Sequence, residues 1–206
     1  QIGMNGVNIA LSFLLGLTGS IGMGKSTTAQ MFRDEGIPVW DADAAVHALY
    51  AKGGAAVPLF AALDPSMIVD GAVSRDILKA MIAAEPDVLQ AIEQIVHPLV
   101  GQSRADFLEA HRDQVVLLDI PLLYETKADL WRDAVIVVTA PPDVQRARVL
   151  ERGTMSEAQF EMILQKQMPD AEKRARADYI IETVSMDAAR AAVRKLLEQL
   201  KGPPLA

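Results

Sequence analysis

The sequence predicts an α/β protein built on a doubly wound parallel sheet, and three observations predict it. Short apolar runs without polar alternation recur along the chain, the pattern of strands covered on both faces. Segments of helical periodicity separate those runs, and strand–helix alternation builds parallel sheets through crossover connections. The first apolar run ends at a glycine-rich turn that leads directly into a helical segment, at the strand end where such sheets place their ligands.

Each element follows in order. Residues 11–18 are a continuous apolar run and read as the first buried strand. The wider run over 9–17 is too short to span a bilayer. It has no basic leader, which argues against a signal peptide. Gln1 to Gly3 are read as preceding a natural start at Met4. A helix is expected over 25–35 and a short strand over 37–40. Residues 44–51, 75–84 and 86–112 are helical in pattern, and no good strand is expected between Asp43 and Gln114. This stretch reads as a helical lobe, 44–112, inserted between two core strands. Residues 115–120 and 134–139 are further strands, followed by helices over 142–151 and 156–167. The charged stretch 151–176 reads as a helical lid. A short strand over 179–181 and a helix over 186–200 complete the core, with Gly202-Pro203-Pro204 as its stop. The core thus comprises 9–43, 113–150 and 177–201, with no separate second domain.

Composition limits the function classes. A chain of 206 residues suits one compact domain or a core with inserted lobes. Half of it is hydrophobic but only 5% aromatic, so the core is expected to consist mainly of Ala, Val, Ile and Leu. Cysteine is absent, which excludes disulfides and thiolate metal sites and fits a reducing compartment. A net charge of -7 argues against a uniformly basic nucleic-acid surface but is compatible with a local anion site. The expected protein is soluble and cytoplasmic, with a small-molecule substrate and no nucleic-acid or membrane partner. Its oligomeric state is not set by the sequence.

The sharpest signal is Gly19-Ser20-Ile21-Gly22-Met23-Gly24-Lys25-Ser26, which satisfies the phosphate-loop pattern G-x-x-x-x-G-K-[ST]. Glycines let backbone N–H groups turn around phosphate oxygens without Cβ clashes. Lys25 can reach the β- and γ-phosphates, and the Ser26 hydroxyl can ligate Mg²⁺. The helix that follows points its positive end at the anion. A chance match in a chain of this length is about one in a hundred, and the strand before and helix after lower that further. The motif specifies a nucleoside triphosphate, with ATP and Mg²⁺ as the expected cofactors. By itself it does not distinguish a kinase from other P-loop NTPases.

Asp41-Ala42-Asp43 follows the short second strand. If extended, residues i and i+2 share a side, so two carboxylates could project together from a strand's carboxyl end. One would take an acceptor proton; the other would hold Mg²⁺ through water or orient the first. Asp43 also suits an N-cap for the helix expected from residue 44. Asp119 ends an apolar strand, as a Mg²⁺-associated carboxylate does in P-loop proteins, or as a strand-end Asp bonded to a loop does. The next residues, Pro121-Leu122-Leu123-Tyr124-Glu125, are too apolar for a free loop and are expected to pack beside a ligand or lobe, with Leu122 as an acceptor contact. His47, His97 and His111 lack metal-ligand spacing. Pro98 should kink or restart the helix after His97 and turn that imidazole to a cleft, unless His97 is simply a partly buried, hydrogen-bonded residue. The basic stretch from Arg146 to Arg176 could close over a triphosphate, with Arg148 and Arg152 as phosphate contacts. Interleaved Glu151, Glu157, Glu161 and Glu172 equally suit a solvated charged face.

Taken together these pieces resemble the dephospho-coenzyme A kinase family from about Leu14 to Leu197. The phosphate loop, Asp41-Ala42-Asp43, Gly71-Ala72-Val73-Ser74-Arg75, His97-Pro98, Asp119-Ile120-Pro121-Leu122-Leu123-Tyr124-Glu125, Gln167-Met168-Pro169 and Ala177-Asp178-Tyr179-Ile180-Ile181 stand in family order. The resemblance implies a P-loop kinase core that uses ATP to phosphorylate the ribose 3′-hydroxyl of dephospho-coenzyme A, with an acceptor lobe and a mobile lid. It implies Asp43 as general base, Asp41 as support for it or for the metal, and Gly22, Met23, Gly24, Lys25, Ser26 and Thr27 on ATP phosphates. It also places Arg75 and His97 in acceptor-side motifs. Two departures stand out: Glu182-Thr183 where the family often has an acid followed by Asn, which puts an adenine contact in doubt, and His47 where it often has Arg. The alternatives are another small-molecule P-loop kinase, of nucleoside monophosphate or shikimate type, and a non-catalytic nucleotide switch.

Overall fold

The computed structural model describes residues 12–201. The expectations for Gln1 to Gly3, the start at Met4, the beginning of the first apolar run and the closing Gly202-Pro203-Pro204 lie outside the described residues. The chain divides into two compact units, residues 1–39 with 111–206, and residues 40–110. The second unit covers most of the stretch 44–112 expected as an inserted lobe. The expected lid stretch belongs to the first unit.

The elements are β1 (Phe13–Thr18), α1 (Lys25–Asp34), β2 (Val39–Asp41), α2 (Ala42–Tyr50), α3 (Ala56–Leu63), β3 (Ile68–Val69), β4 (Ala72–Val73), α4 (Arg75–Ala84), α5 (Val88–Ala110), β5 (Val115–Asp119), β6 (Ala134–Thr139), α6 (Pro142–Glu151), α7 (Glu157–Lys166), α8 (Asp170–Arg176), β7 (Tyr179–Glu182) and α9 (Met186–Lys201).

A five-stranded sheet runs in the order β2-β5-β1-β6-β7. β1 lies at its centre, parallel to β5 on one side and β6 on the other, and β7 is parallel to β6. This is the doubly wound arrangement the apolar runs predict. All six residues of β6 are buried, as a strand covered on both faces requires. β7 stands at the edge, and Ile180 on it is 51% exposed. The core joins Leu15, Leu17, Leu117, Ile136 and Ile181 from the strands to Phe32 of α1 and Val193 and Leu196 of α9. Aliphatic residues dominate it, as the composition predicts.

The second unit has its own apolar cluster of Ala56, Phe60, Met67, Val73, Leu78 and Ile92, with Tyr50 edge-on to Phe60 at 5.5 Å between centroids. It corrects two expectations. A small antiparallel hairpin, β3–β4, lies where no strand was expected. Its turn is Asp70-Gly71, both at positive φ (51° and 80°), the conformation that Asp-Gly favours in tight hairpins. The helix also runs unbroken through Pro98 over Val88–Ala110, so it is not restarted at His97. Among the described residues no helix is long and apolar enough to cross a membrane.

Candidate active site

The phosphate loop leaves the carboxyl end of the central strand and turns into α1. Gly24 occupies the helix N-cap position at φ 91°, with no side-chain cap. The first-turn N–H groups therefore have no side-chain partner, which is the setting that attracts an anion. Gly22 has φ 75°. A Cβ at Gly24 would meet Thr183 Oγ1 at 2.9 Å, and one at Gly22 would meet Val149 Cγ2 at 2.6 Å. Glycine is required at both by conformation and by space. Gly19 packs against Val138. Ser26 and Thr27 are exposed in the first turn of α1.

The loop is braced from behind. Thr183 Oγ1 donates to the Met23 carbonyl at 2.6 Å. Arg148 donates to Thr183 Oγ1 at 2.9 Å, to the Thr183 carbonyl at 2.7 Å and to the Gly22 carbonyl at 3.4 Å. Gln145 Nε2 donates to the Ile21 carbonyl at 2.7 Å, and Ile21 N–H donates to Gln167 Oε1 at 3.3 Å. Ala140 N–H approaches Met23 Sδ at 3.1 Å. Polar networks satisfied in this way hold a backbone in one conformation. Arg148, expected as a phosphate contact, directs its guanidinium to the loop's own carbonyls and to Thr183. Thr183, which stands where the family often has Asn, is buried and bonded to the loop. Gln145 carried no signal in the sequence; Gln167 lies in a motif noted there without a role.

Lys25 forms an ion pair and hydrogen bond with Asp119. Their side chains are 18% and 4% exposed. Asp119 stands opposite Leu17 in the β1–β5 register, so sheet pairing brings it to the start of the loop. Mg²⁺ takes hard oxygen donors and is usually held by one or two protein groups plus phosphate oxygens and water. The Ser26 hydroxyl and the Asp119 carboxylate suit that mode. Among the described residues no group of three or more His, Cys, Asp or Glu is placed to hold a metal ion.

In the second unit the acidic turn differs from expectation. Asp41, not Asp43, caps α2: its carboxylate accepts from Ala44 N–H at 3.0 Å. The helix starts at Ala42, two residues earlier than expected, so the alternation of a strand does not apply across 41–43. Asp43 lies in the first helical turn, exposed and without a hydrogen bond or ion pair within its unit. Arg75 opens α4 behind the Ser74 cap, and its guanidinium lies 5.3 Å from the Tyr50 ring centroid. Burial pushes the Tyr50 phenol above its usual range, and Arg75 partly opposes this. His47 and His97 are both exposed, so His97 is not the partly buried residue of the bland alternative.

Beyond β5, Leu122 is 41% exposed at φ 53°. The basic stretch is largely engaged. Arg146 pairs with Glu157 and Glu161, Arg174 with Asp170 at 2.8 Å, and Arg176 with Glu172 at 2.7 Å. Lys173 is buried against Glu125 at 3.4 Å. Arg152 is exposed at the end of α6, beside Gly153 at φ 63°.

Comparison with known proteins fixes the lineage. The family model described as dephospho-CoA kinase matches residues 13–187. The dephospho-CoA kinase of Cereibacter sphaeroides is 61% identical over 189 residues, covering 92% of this chain and 96% of its own. That of Ruegeria pomeroyi is 56% identical over 191 residues, covering 93% and 97%. A crystal structure from Thermus thermophilus, 33% identical, superposes with a TM-score of 0.78 over 93% of this chain and 100% of that one. The phosphate-loop architecture, the order of its motifs and this similarity along most of its length together place the chain in the dephospho-CoA kinase family.

Proposed function

We propose that this chain, an ATP-dependent kinase by family, transfers the γ-phosphoryl group of ATP to the ribose 3′-hydroxyl of dephospho-coenzyme A, giving coenzyme A and ADP. The observation that carries the reading is the braced, uncapped phosphate loop with Lys25 beside it. Phosphoryl transfer needs little covalent chemistry from a protein; positioning and charge stabilisation do most of it. The loop amides and Lys25 grip the β- and γ-phosphates. Lys25, paired with Asp119, turns to the phosphates when the triphosphate binds, and the Asp119 carboxylate with Ser26 serves the metal side. Bound Mg²⁺ would neutralise charge on the transferring group. Asp43 takes the proton of the acceptor hydroxyl, and Asp41 fixes the helix start that carries it. Arg75, His97 and Leu122 meet the acceptor. Arg152, beside a glycine at positive φ, contacts phosphate from the lid, while Arg148 holds the loop in shape.

The test is coupled ADP release with dephospho-coenzyme A against AMP and shikimate as acceptors. Turnover is expected with dephospho-coenzyme A and not with the controls. Equal turnover with a control, or none with dephospho-coenzyme A, would overturn the reading.

A further inference from the structure

One stripe of α8 carries Asp170, Lys173 and Arg176, three residues apart and so neighbours on the helix surface. Each is engaged. Thr139 Oγ1 donates to Asp170 Oδ2 at 2.9 Å. Lys173 Nζ lies 3.4 Å from Glu125 Oε2. The Arg176 guanidinium lies 5.9 Å from the Tyr124 ring centroid. Two of the three thus grip the short segment that leaves β5 just beyond Asp119. The Lys173 side chain is 1% exposed and that of Glu125 18%. Lysine is almost never buried unless paired. Neither Glu125 carboxylate oxygen has a hydrogen-bond partner among the described residues, so this ammonium supplies the compensation a buried carboxylate needs.

The same segment is pinned at its other end. Leu123 is fully buried over Gly16, where even a Cβ would come within 2.7 Å of Leu123 Cδ1. The Leu122 carbonyl accepts from Thr126 N–H at 3.0 Å and Thr126 Oγ1 at 2.8 Å. Leu122 sits at φ 53°, a region that branched L-residues rarely enter. Such strain persists only where the surroundings over-determine it, and it collects at ligand sites. Its side chain is 41% exposed at the functional end of the sheet.

We propose that Lys173 is a positioning residue for the phosphoryl acceptor: through Glu125 it holds the Leu122 turn in the conformation that meets the acceptor. The proposal rests on the reading of Leu122 as an acceptor contact. It also makes α8 a fixed brace and confines any closing lid to residues before Pro169.

Wild-type turnover on dephospho-coenzyme A is the reference. Its absence would overturn the functional reading and this inference with it. With turnover present, Lys173→Met should raise the KM for dephospho-coenzyme A roughly tenfold and leave the KM for ATP within about twofold. Lys173→Met strands a buried carboxylate and will also lower thermal stability. The double variant Glu125→Gln/Lys173→Met removes both charges. It should recover stability while keeping the high acceptor KM, and Lys173→Arg should restore that KM. The inference fails if both KM values rise together, or if the acceptor KM returns to normal once the double variant recovers stability.

Discussion

The phosphate loop and the acidic turn of α2 are both short, polar and signalled in the sequence, yet they are built in opposite ways. The loop is held from behind by Thr183, Arg148, Gln145 and Gln167, and two of its glycines adopt positive φ. At the turn, the one bonded carboxylate, Asp41, serves the helix, while Asp43 has no partner within its unit. A group that binds by shape must be fixed before its ligand arrives. In the proposed function Asp43 accepts a proton, and its exposed carboxylate has lone pairs available for one. On that proposal the contrast separates binding from chemistry, and substitutions can break it.

The largest effect is expected from Asp43→Asn. Turnover should fall by roughly 10² to 10⁴ with little change in ATP affinity, read by coupled ADP release and calorimetric titration. A matching loss of ATP affinity would move Asp43 to the nucleotide side and erase the contrast. Gly24→Ala should come next. A Cβ at φ 91° against Thr183 Oγ1 strains the loop, and about 1–3 kcal/mol of such strain should weaken ATP binding tenfold or more while leaving acceptor binding alone. Thr183→Val leaves the Met23 carbonyl unpaired and should cost about 1–3 kcal/mol of stability, read by denaturant titration, with a higher KM for ATP. Asp41→Ala loses a cap worth about 1 kcal/mol, whereas Asp41→Asn should keep it; a large drop in turnover for Asp41→Asn would give that carboxylate a chemical role.

The smallest effect is a change in alkaline stability. Burial first, then the charges of Asp178 and Asp129, push the Tyr124 phenol up to about 12, against Arg176. In the unfolded chain it ionises near its ordinary value of about 10. The folded state thus holds this proton more tightly. Its contribution is intact below about pH 10 and is lost as pH rises toward 12. Tyr124→Phe should flatten the fall of the denaturation midpoint across that window.

Much of the fold was legible because its signals are local. The apolar runs gave the parallel strands, and the ends of α4, α6 and β6 fall where periodicity put them. The hairpin β3–β4 was missed although Asp70-Gly71 is a strong turn signal, because two-residue strands are too short to show alternation. Pro98 was expected to kink or restart the helix; α5 does not restart there, since a helix can forgo one N–H when its neighbours hold it. In the candidate site the loop residues and Asp119 were legible from motif and strand position. The partners of Arg148 and Lys173 were not, because charge in a sequence shows no direction.

What the sequence by itself determined is the chemistry available: a glycine-rich turn between an apolar strand and a helix, an ammonium and a hydroxyl in fixed order, and an acidic pair after the second strand. Tertiary structure alone decided how those groups are used. It turned the Arg148 guanidinium to the loop's carbonyls and to Thr183, and buried Lys173 against Glu125. Those contacts join residues tens of positions apart, and the free energy of burying or exposing a charge is set only when the chain has closed around it.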